Sequence, residues 1–263
     1  MTITFIGAGN MGGSMAHGLY QTDMFRPEDI TCTARSQATL DKCLKLMPGI
    51  HVTTDNIESV RNSDIVVFAV KPWMIESVIN QVKNALDYSK QIIISVVAGF
   101  TTDKLQNLLA RENQPTPAVF YMIPNTAIDV KASMTFFVPS HASSEQICLI
   151  QNMMEKVGGC MQIEEKNMSA CMALASCGIA YAFRYIRAAM EGGVEMGLYA
   201  KDAKKIVSYT VRGAAEMILK HDSHPEEEID CVTTPGGLTI KGLNSMEENG
   251  FTNAVIKGLK AGR

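Results

Sequence analysis

The stretch ITFIGAGNMGGSMAHGL, residues 3–19, places glycines at positions 7, 9 and 12 between an apolar run and a helical pattern. This is the G-x-G-x-x-G spacing of a strand-to-helix turn that holds dinucleotide phosphates. The first glycine permits the tight turn, the second lets the backbone approach a pyrophosphate, and the third brings helix and strand together. Free N–H groups at the helix start can bind the phosphate oxygens. We assign to this site Ile6, Gly7, Ala8, Gly9, Asn10, Met11 and Gly12; the alternative is a turn kept for packing alone.

The rest of the chain separates into two patterns. Residues 1–163 alternate short β-branched runs with helical patterns, and the runs are TITFIG, ITCTA, HVTT, DIVVFAV, QIIISVVAG, AVFYMI, MTFFVP and CMQI. This alternation predicts an α/β fold, a mostly parallel, doubly wound sheet of the Rossmann type. Residues 164–263 lose the strand pattern and carry Ala-, Met- and Leu-rich periodic segments, so we predict a second, all-helical domain there.

Composition excludes several functions. The 263 residues carry a net charge of -3 without basic clusters, which argues against a nucleic-acid partner. Seven cysteines without C-x-x-C pairs or nearby histidines fit a reducing compartment better than disulfides or a metal site, so we expect a cytoplasmic protein without metal. No targeting segment is visible before the first apolar run.

One uncharged stretch, MSACMALASCGIAYAF at residues 168–183, requires a membrane test. It is shorter than the roughly 20 residues of a membrane span, is rich in small residues, and runs into Arg184 and Arg187. We interpret it as a buried helix and expect no membrane association.

The end of the second strand distinguishes the dinucleotides. NAD sites carry an acid there to hold the ribose hydroxyls, but ITCTARS ends in Arg35 and Ser36. A guanidinium and a hydroxyl suit a 2′-phosphate, which an acid would repel. The sequence therefore favours NADP(H), with NAD(H) as a possible second cofactor; the alternative is an ordinary surface arginine.

Two further loops follow apolar strands and should border the same crevice. They contribute Ala69, Val70, Lys71 and Pro72 after the fourth strand and Ala98 after the fifth, and we add Asn56 to the cofactor residues. Lys71 could be catalytic or could line the cofactor cleft, and we prefer the second interpretation.

Together these motifs resemble pyrroline-5-carboxylate reductases. The similarity rests on GAGNMG, AVKP, AG, PNTA, ALASCGIAYAF, EGGVEMGL and above all TTPGGLTIKGLNSMEENG, in that order along nearly the whole chain. It implies reduction of 1-pyrroline-5-carboxylate to L-proline by NAD(P)H, the last step of proline synthesis. Three residues depart from the family pattern: Ile179 and Ala127 replace frequent prolines, and Thr234 replaces a usual serine. These departures bear on the fine-tuning of substrate binding.

The C-terminal motif predicts a second anion site. Proline fixes φ, two glycines expose backbone N–H groups, and a helix can follow, so this turn would hold the substrate's carboxylate. The resemblance implies that Thr239 is the catalytic residue, whose hydroxyl hydrogen-bonds the ring nitrogen. The candidate substrate-binding residues are Thr234, Gly236, Gly237, Leu238 and Thr239. The alternative is that Thr234 is a helix N-cap and Thr239 a first-turn filler.

The helical half should also build the oligomer. Its segment from Met168 to Met190 is apolar around much of its circumference, and small residues permit close helix contacts. One domain of this size offers few partners, so we expect a homodimer or a higher homo-oligomer built from dimers, which the resemblance also implies.

Two other function classes fit the sequence less well. A β-hydroxyacid dehydrogenase would need a lysine and an asparagine spaced on a helix of the second half, whereas Lys166 and Asn167 are adjacent. A protein that senses or stores NADPH without turnover would not need the second glycine turn.

Overall fold

The computed structural model describes residues 1–262 and divides into two compact units, Met1–Cys171 and a second unit that begins at Met172. The first unit holds one eight-stranded sheet with the order β3-β2-β1-β4-β5-β6-β7-β8. The strands are β1 Ile3–Ile6, β2 Ile30–Thr33, β3 His51–Thr53, β4 Ile65–Phe68, β5 Ile92–Ser95, β6 Ala118–Ile123, β7 Ser133–Ser140 and β8 Gly158–Gln162. All neighbouring pairs are parallel except β6 and β7. The predicted doubly wound sheet is confirmed.

The central strands explain why the sequence reads as β-branched runs. All residues of β1, β4, β5 and β6 are buried, because helices cover both faces of the sheet. The helices of this unit are α1 Asn10–Tyr20, α2 Gln37–Leu46, α3 Asn56–Arg61, α4 Ile75–Val82, α5 Thr102–Leu109 and α6 Ser144–Glu155.

The strand order reverses beside β1, and this reversal positions the cofactor site. The chain runs from β1 outward to β2 and β3, then returns to place β4 and β5 on the other side of β1. The loops after β1 and β4 therefore separate at their carboxyl ends and leave a crevice, which is where open α/β sheets bind ligands.

Beyond Gln162 the described residues form no further strand. A short helix, α7 Met168–Met172, spans the division between the two units, and a π-helical turn, Ala173–Cys177, follows it. The remaining helices are α8 Gly178–Glu195, α9 Ala200–His221, α10 Pro225–Cys231, α11 Leu238–Glu248 and α12 Phe251–Ala261. The helical nature of the C-terminal half is confirmed. The domain division between residues 163 and 164 stays a prediction, since the two compact units separate at residue 171.

The long apolar helix corrects one expectation. The helical run Glu165–Glu195 has 31 residues and is, by length and composition, apolar enough to span a membrane, although a single run of this kind is weak evidence for one. Only 6% of its apolar 18-residue stretch is buried within the chain. The prediction of a buried helix is thus wrong for the single chain, because the unit has too few elements to cover an apolar circumference.

Candidate functional site

The first glycine turn has the geometry of a phosphate cradle. Gly7 has φ +96°, and a Cβ there would lie 2.9 Å from Val70 Cγ1. At Gly12 a Cβ would collide with the Gly7 carbonyl oxygen and lie 2.8 Å from Ala69 Cβ. These two glycines are required because the turn packs directly against the loop after β4. At Gly9, by contrast, a Cβ would meet nothing within 4 Å. Its missing side chain leaves open space above the turn.

The start of α1 offers unpaired donors toward that space. Gly9 is the N-cap and provides no side-chain hydrogen bond, and the first turn of α1 contains no acidic residue. The backbone N–H groups that a capping side chain would take are therefore left for an anion. Gly7 and Ala8 donate their own N–H groups to the Thr33 carbonyl oxygen at 3.1 and 2.8 Å, which fixes the turn against β2.

At the end of β2 the two predicted residues have different surroundings. Arg35 is exposed, and within residues 1–262 its guanidinium has no hydrogen bond or ion pair. Ser36 is the N-cap of α2, and its hydroxyl accepts from the Thr39 N–H at 3.3 Å. Arg35 is thus free to bind a phosphate, whereas the Ser36 hydroxyl already stabilises a helix start; a contact of Ser36 with the cofactor stays a prediction.

The Asn56 side chain links the end of β2 to α4. Its Oδ1 accepts from the Thr33 hydroxyl at 2.6 Å, and its Nδ2 donates to Gln81 Oε1 at 3.0 Å. These contacts hold the half-buried amide beside the end of β2. Asn56 therefore lies at the same edge of the sheet as the other predicted cofactor residues.

The loop after β4 completes the crevice. The Ala69 N–H donates to the Ile6 carbonyl oxygen at 2.9 Å, which joins this loop to the end of β1. Lys71 precedes a short 3-10 turn, Pro72–Met74, and its exposed ammonium has no partner within the described chain. The geometry brings Lys71 to the crevice and leaves both of its proposed roles open.

The loop after β5 presents Ala98 to solvent. The next residue, Gly99, has φ +82°, and its N–H donates to the hydroxyl oxygen of Tyr121 at 3.2 Å. Burial raises the pKa of Tyr121, so this hydroxyl stays neutral. Sequence reasoning missed Tyr121, whose only signal was a hydroxyl-bearing residue inside the apolar run AVFYMI.

The second unit carries the second glycine turn. The Gly237 N–H donates to the Thr234 carbonyl oxygen at 2.9 Å, with Pro235 and Gly236 between them. Gly236 has φ +72°, as the third position of a type II turn requires. A Cβ at Gly237 would lie 2.5 Å from Thr234 Oγ1. Glycine is therefore favoured at position 236 by the backbone conformation and at position 237 by the close approach of the Thr234 side chain.

This turn ends at a second uncapped helix. Gly237 is the N-cap of α11 and gives no side-chain hydrogen bond, and no acidic residue lies in the first turn. The interpretation of Thr234 as the N-cap is therefore wrong. Thr239 is the second residue of α11, and its exposed hydroxyl has no partner among residues 1–262. Leu238, beside it, is 87% exposed. The predicted substrate residues thus lie together in the turn before α11 and in its first two positions, where no side chain of the described residues caps the backbone N–H groups.

The dehydrogenase alternative finds no support in the geometry. Lys166 and Asn167 lie in a short 3-10 turn, Glu165–Asn167, where Lys166 is ion-paired with Glu164. Within the described residues, no group of three or more His, Cys, Asp or Glu side chains could hold a metal ion.

Comparisons with known proteins agree with this arrangement. Residues 165–263 match the family model for pyrroline-5-carboxylate reductase dimerisation, and residues 2–99 match a model for NADP oxidoreductases that are coenzyme F420-dependent. Pyrroline-5-carboxylate reductase 2 of Dictyostelium discoideum is 39% identical over 98% of this chain and 89% of its own. The Methanosarcina acetivorans enzyme of that name is 35% identical over 97% and 94%.

Solved structures give the same result. The pyrroline-5-carboxylate reductase from Coxiella burnetii superimposes with a TM-score of 0.87 at 31% identity, covering 99% of this chain and 95% of its own. The Plasmodium falciparum pyrroline carboxylate reductase, solved with NADP bound, gives 0.87 at 27% identity and covers 100% and 95%. On this evidence the chain belongs to the pyrroline-5-carboxylate reductase family.

Proposed function

We propose that this protein reduces 1-pyrroline-5-carboxylate to L-proline with NADPH, as the last step of proline synthesis. The observation that carries the proposal is the second uncapped helix start, where α11 follows the turn Thr234–Gly237 and presents the free Thr239 hydroxyl. A protein that only bound a dinucleotide would have no use for a second anion site of this kind. Relatives that match over nearly their full length carry this activity in their names.

The cofactor half fits NADP(H). The open space at Gly9 and the uncapped start of α1 suit a pyrophosphate, and the unpaired guanidinium of Arg35 suits a 2′-phosphate. When bound, the cofactor supplies a hydride to the imine carbon. Because Arg35 replaces the acid that would hold unphosphorylated ribose, we expect NADPH to be preferred and NADH to be used less well.

The substrate half would bind the carboxylate and place a proton donor. The unsatisfied N–H groups at the start of α11 and the positive end of its dipole would hold the carboxylate, with the Thr234 hydroxyl beside them. Hydride transfer to the imine carbon leaves the ring nitrogen needing a proton, unless the imine arrives already protonated. The Thr239 hydroxyl, at the second position of the same helix, would hydrogen-bond that nitrogen in the transition state.

The helical half would serve assembly as well as substrate binding. We assign residues 1–163 to the cofactor domain and 164–263 to the dimerisation and substrate domain. Large apolar side chains are exposed on the helices of the second unit, among them Phe183, Tyr209 and Leu219 at 61, 66 and 84%. Because this half matches the dimerisation domain of the family, we expect a second copy of the chain to cover this apolar surface. We expect a cytoplasmic homo-oligomer.

A spectrophotometric assay tests the function. NADPH absorbance should fall when 1-pyrroline-5-carboxylate is added to the protein, and L-proline should appear in equal amount. If the cofactor binds but its absorbance stays constant with this substrate, the protein is a dinucleotide-binding protein without the proposed activity.

A further inference from the structure

The loop between β5 and α5, residues 96–101, is held more firmly than its exposure suggests. Ala98 and Gly99 are both exposed, and Gly99 adopts a left-handed backbone conformation with φ +82°. Such a loop would normally be mobile, yet the Tyr121 side chain binds its backbone at Gly99, and the Glu165 side chain binds Thr102, the residue that follows it. The position of Ala98 therefore depends on residues outside the loop.

The first of these residues is Tyr121. It lies on β6 opposite Ser95, the last residue of β5, and is only 3% exposed. Its hydroxyl oxygen accepts the Gly99 N–H at 3.2 Å. Because the parallel register fixes Tyr121 beside the end of β5, this hydrogen bond holds Gly99 at a defined distance from that strand end.

The second residue is Glu165, whose carboxylate binds the residue directly after the loop. Its Oε2 accepts from the Thr102 hydroxyl at 2.6 Å and from the Thr102 N–H at 3.3 Å. Thr102 is the first residue of α5, so Glu165 binds the helix start that ends the loop. Lys104 adds a weaker contact from its Nζ to the Gly99 carbonyl oxygen at 3.4 Å.

The position of this loop along the sheet edge indicates what it positions. The phosphate turn follows β1, and Arg35 follows β2 on one side of it. With the 2′-phosphate on the β2 side, the other end of a bound dinucleotide must extend toward β4 and β5. Ala98, after β5, therefore borders the nicotinamide end rather than the adenosine end.

We infer that Tyr121 and Glu165 are positioning residues, which clamp the Ala98–Gly99 loop and thereby align the nicotinamide for hydride transfer. This inference rests on the proposed function for its kinetic consequence. Cofactor affinity depends mainly on the phosphates, which other loops bind, so loosening the clamp should lower kcat more than it raises the KM for NADPH. A misplacement near 1 Å is enough to slow a reaction substantially.

Tyr121→Phe removes only the hydroxyl that holds Gly99. We expect kcat to fall about 3- to 30-fold, the size expected for loss of one hydrogen bond with some misalignment, while the KM for NADPH changes less than about twofold. The kinetic isotope effect with 4-deuterated NADPH should rise as hydride transfer slows. In the protein without cofactor, amide hydrogen exchange of residues 96–102 should be faster than in wild type.

Tyr88→Phe is the matched control. Tyr88 is also buried, at 6% exposure, and its hydroxyl donates to the Leu109 carbonyl oxygen at 2.6 Å, at the end of α5 that lies away from the loop. This variant should lose thermal stability but keep wild-type kcat and wild-type exchange at residues 96–102. Thr102→Val, which removes the hydroxyl bound to Glu165, should act like Tyr121→Phe, and Thr102→Ser should restore activity.

The outcomes separate the two proposals. If wild type does not reduce 1-pyrroline-5-carboxylate, the proposed function fails, and hydrogen exchange alone decides whether the clamp exists. If wild type is active but Tyr121→Phe keeps its kcat, or if Tyr121→Phe and Tyr88→Phe slow turnover equally, the inference is wrong.

Discussion

The Gly237 N–H donates to the Thr234 carbonyl oxygen at 2.9 Å, and a Cβ at Gly237 would lie only 2.5 Å from the Thr234 hydroxyl. The turn is therefore closed tightly around a position where any larger residue would displace the Thr234 side chain. Its consequence is that the Thr234 hydroxyl lies close to the start of α11, whose N–H groups are capped by no side chain within residues 1–262.

Gly237→Ala should weaken substrate binding. The added methyl would force the Thr234 side chain away and disturb the N–H groups proposed to hold the carboxylate, so the KM for 1-pyrroline-5-carboxylate should rise more than kcat falls. Gly242→Ala is the control, because a Cβ at Gly242 in the same helix meets nothing within 4 Å. Equal KM values for the two variants would contradict the carboxylate site.

Thr239→Ala should slow turnover without changing the fold. The exposed hydroxyl contributes no internal hydrogen bond within residues 1–262, so the melting temperature and NADPH binding should stay close to wild type. We expect kcat to fall roughly tenfold to several hundredfold if the bond to the ring nitrogen forms mainly in the transition state. Thr239→Ser keeps the hydroxyl and should lose much less. An alanine variant as fast as wild type would remove Thr239 from catalysis.

Arg35→Asp should reverse or abolish the preference for NADPH. The carboxylate repels a 2′-phosphate and can accept from ribose hydroxyls, so the ratio of kcat/KM for NADPH to that for NADH should fall about 10- to 100-fold. Arg26→Asp makes the same charge change before β2, at the opposite edge of the sheet, and should leave this ratio unchanged. A wild-type protein that prefers NADH would show that the end of β2 has been misinterpreted.

Much of the fold could be predicted because parallel strands buried on both faces read as unbroken apolar runs. The glycine turns were also predictable, since Gly7, Gly12 and Gly236 occupy positions that other residues cannot adopt without strain. The hydrogen bond from Gly99 to Tyr121 was not, because it depends on the register between β5 and β6. The capping of α2 by Ser36 could have been predicted, because serine is a preferred N-cap residue before a helical pattern, but the hydroxyl was assigned to the cofactor instead.

The exposure of the long helix within one chain could be predicted only in part. Apolar periodicity shows that a helix needs partners but does not show which chain supplies them. The π-helical turn Ala173–Cys177 was likewise invisible, since its side chains continue the apolar pattern of the helices on both sides.

Assembly can be tested at the same helix. Light scattering at micromolar concentration should give at least twice the chain mass of 28.7 kDa. Phe183→Glu, on an exposed part of α8, should lower the measured mass, whereas Leu46→Glu, on an exposed part of α2, should not. A wild-type mass near that of one chain would exclude a stable oligomer.

Alkaline pH should destabilise the protein partly through Tyr121. Burial raises the pKa of this hydroxyl above its ordinary value near 10, so the folded state holds the proton more tightly than the unfolded state does. The stabilisation is complete below pH 10 and is lost as the pH rises above it. The free energy of unfolding, measured with urea at pH 8 and 10.5, should therefore fall more for wild type than for Tyr121→Phe. An equal fall in both proteins would exclude a contribution from Tyr121.

Transfer of deuterium from NADPH to the product follows the proposed reaction atom by atom. NADPH labelled at C4 on one face or the other would be incubated with the protein and unlabelled 1-pyrroline-5-carboxylate, and the proline analysed by mass spectrometry and NMR. We predict that one of the two labelled cofactors gives L-proline with a single deuterium at C5, the former imine carbon. Unlabelled proline from both cofactors, or no proline at all, would contradict hydride transfer to the imine by this protein.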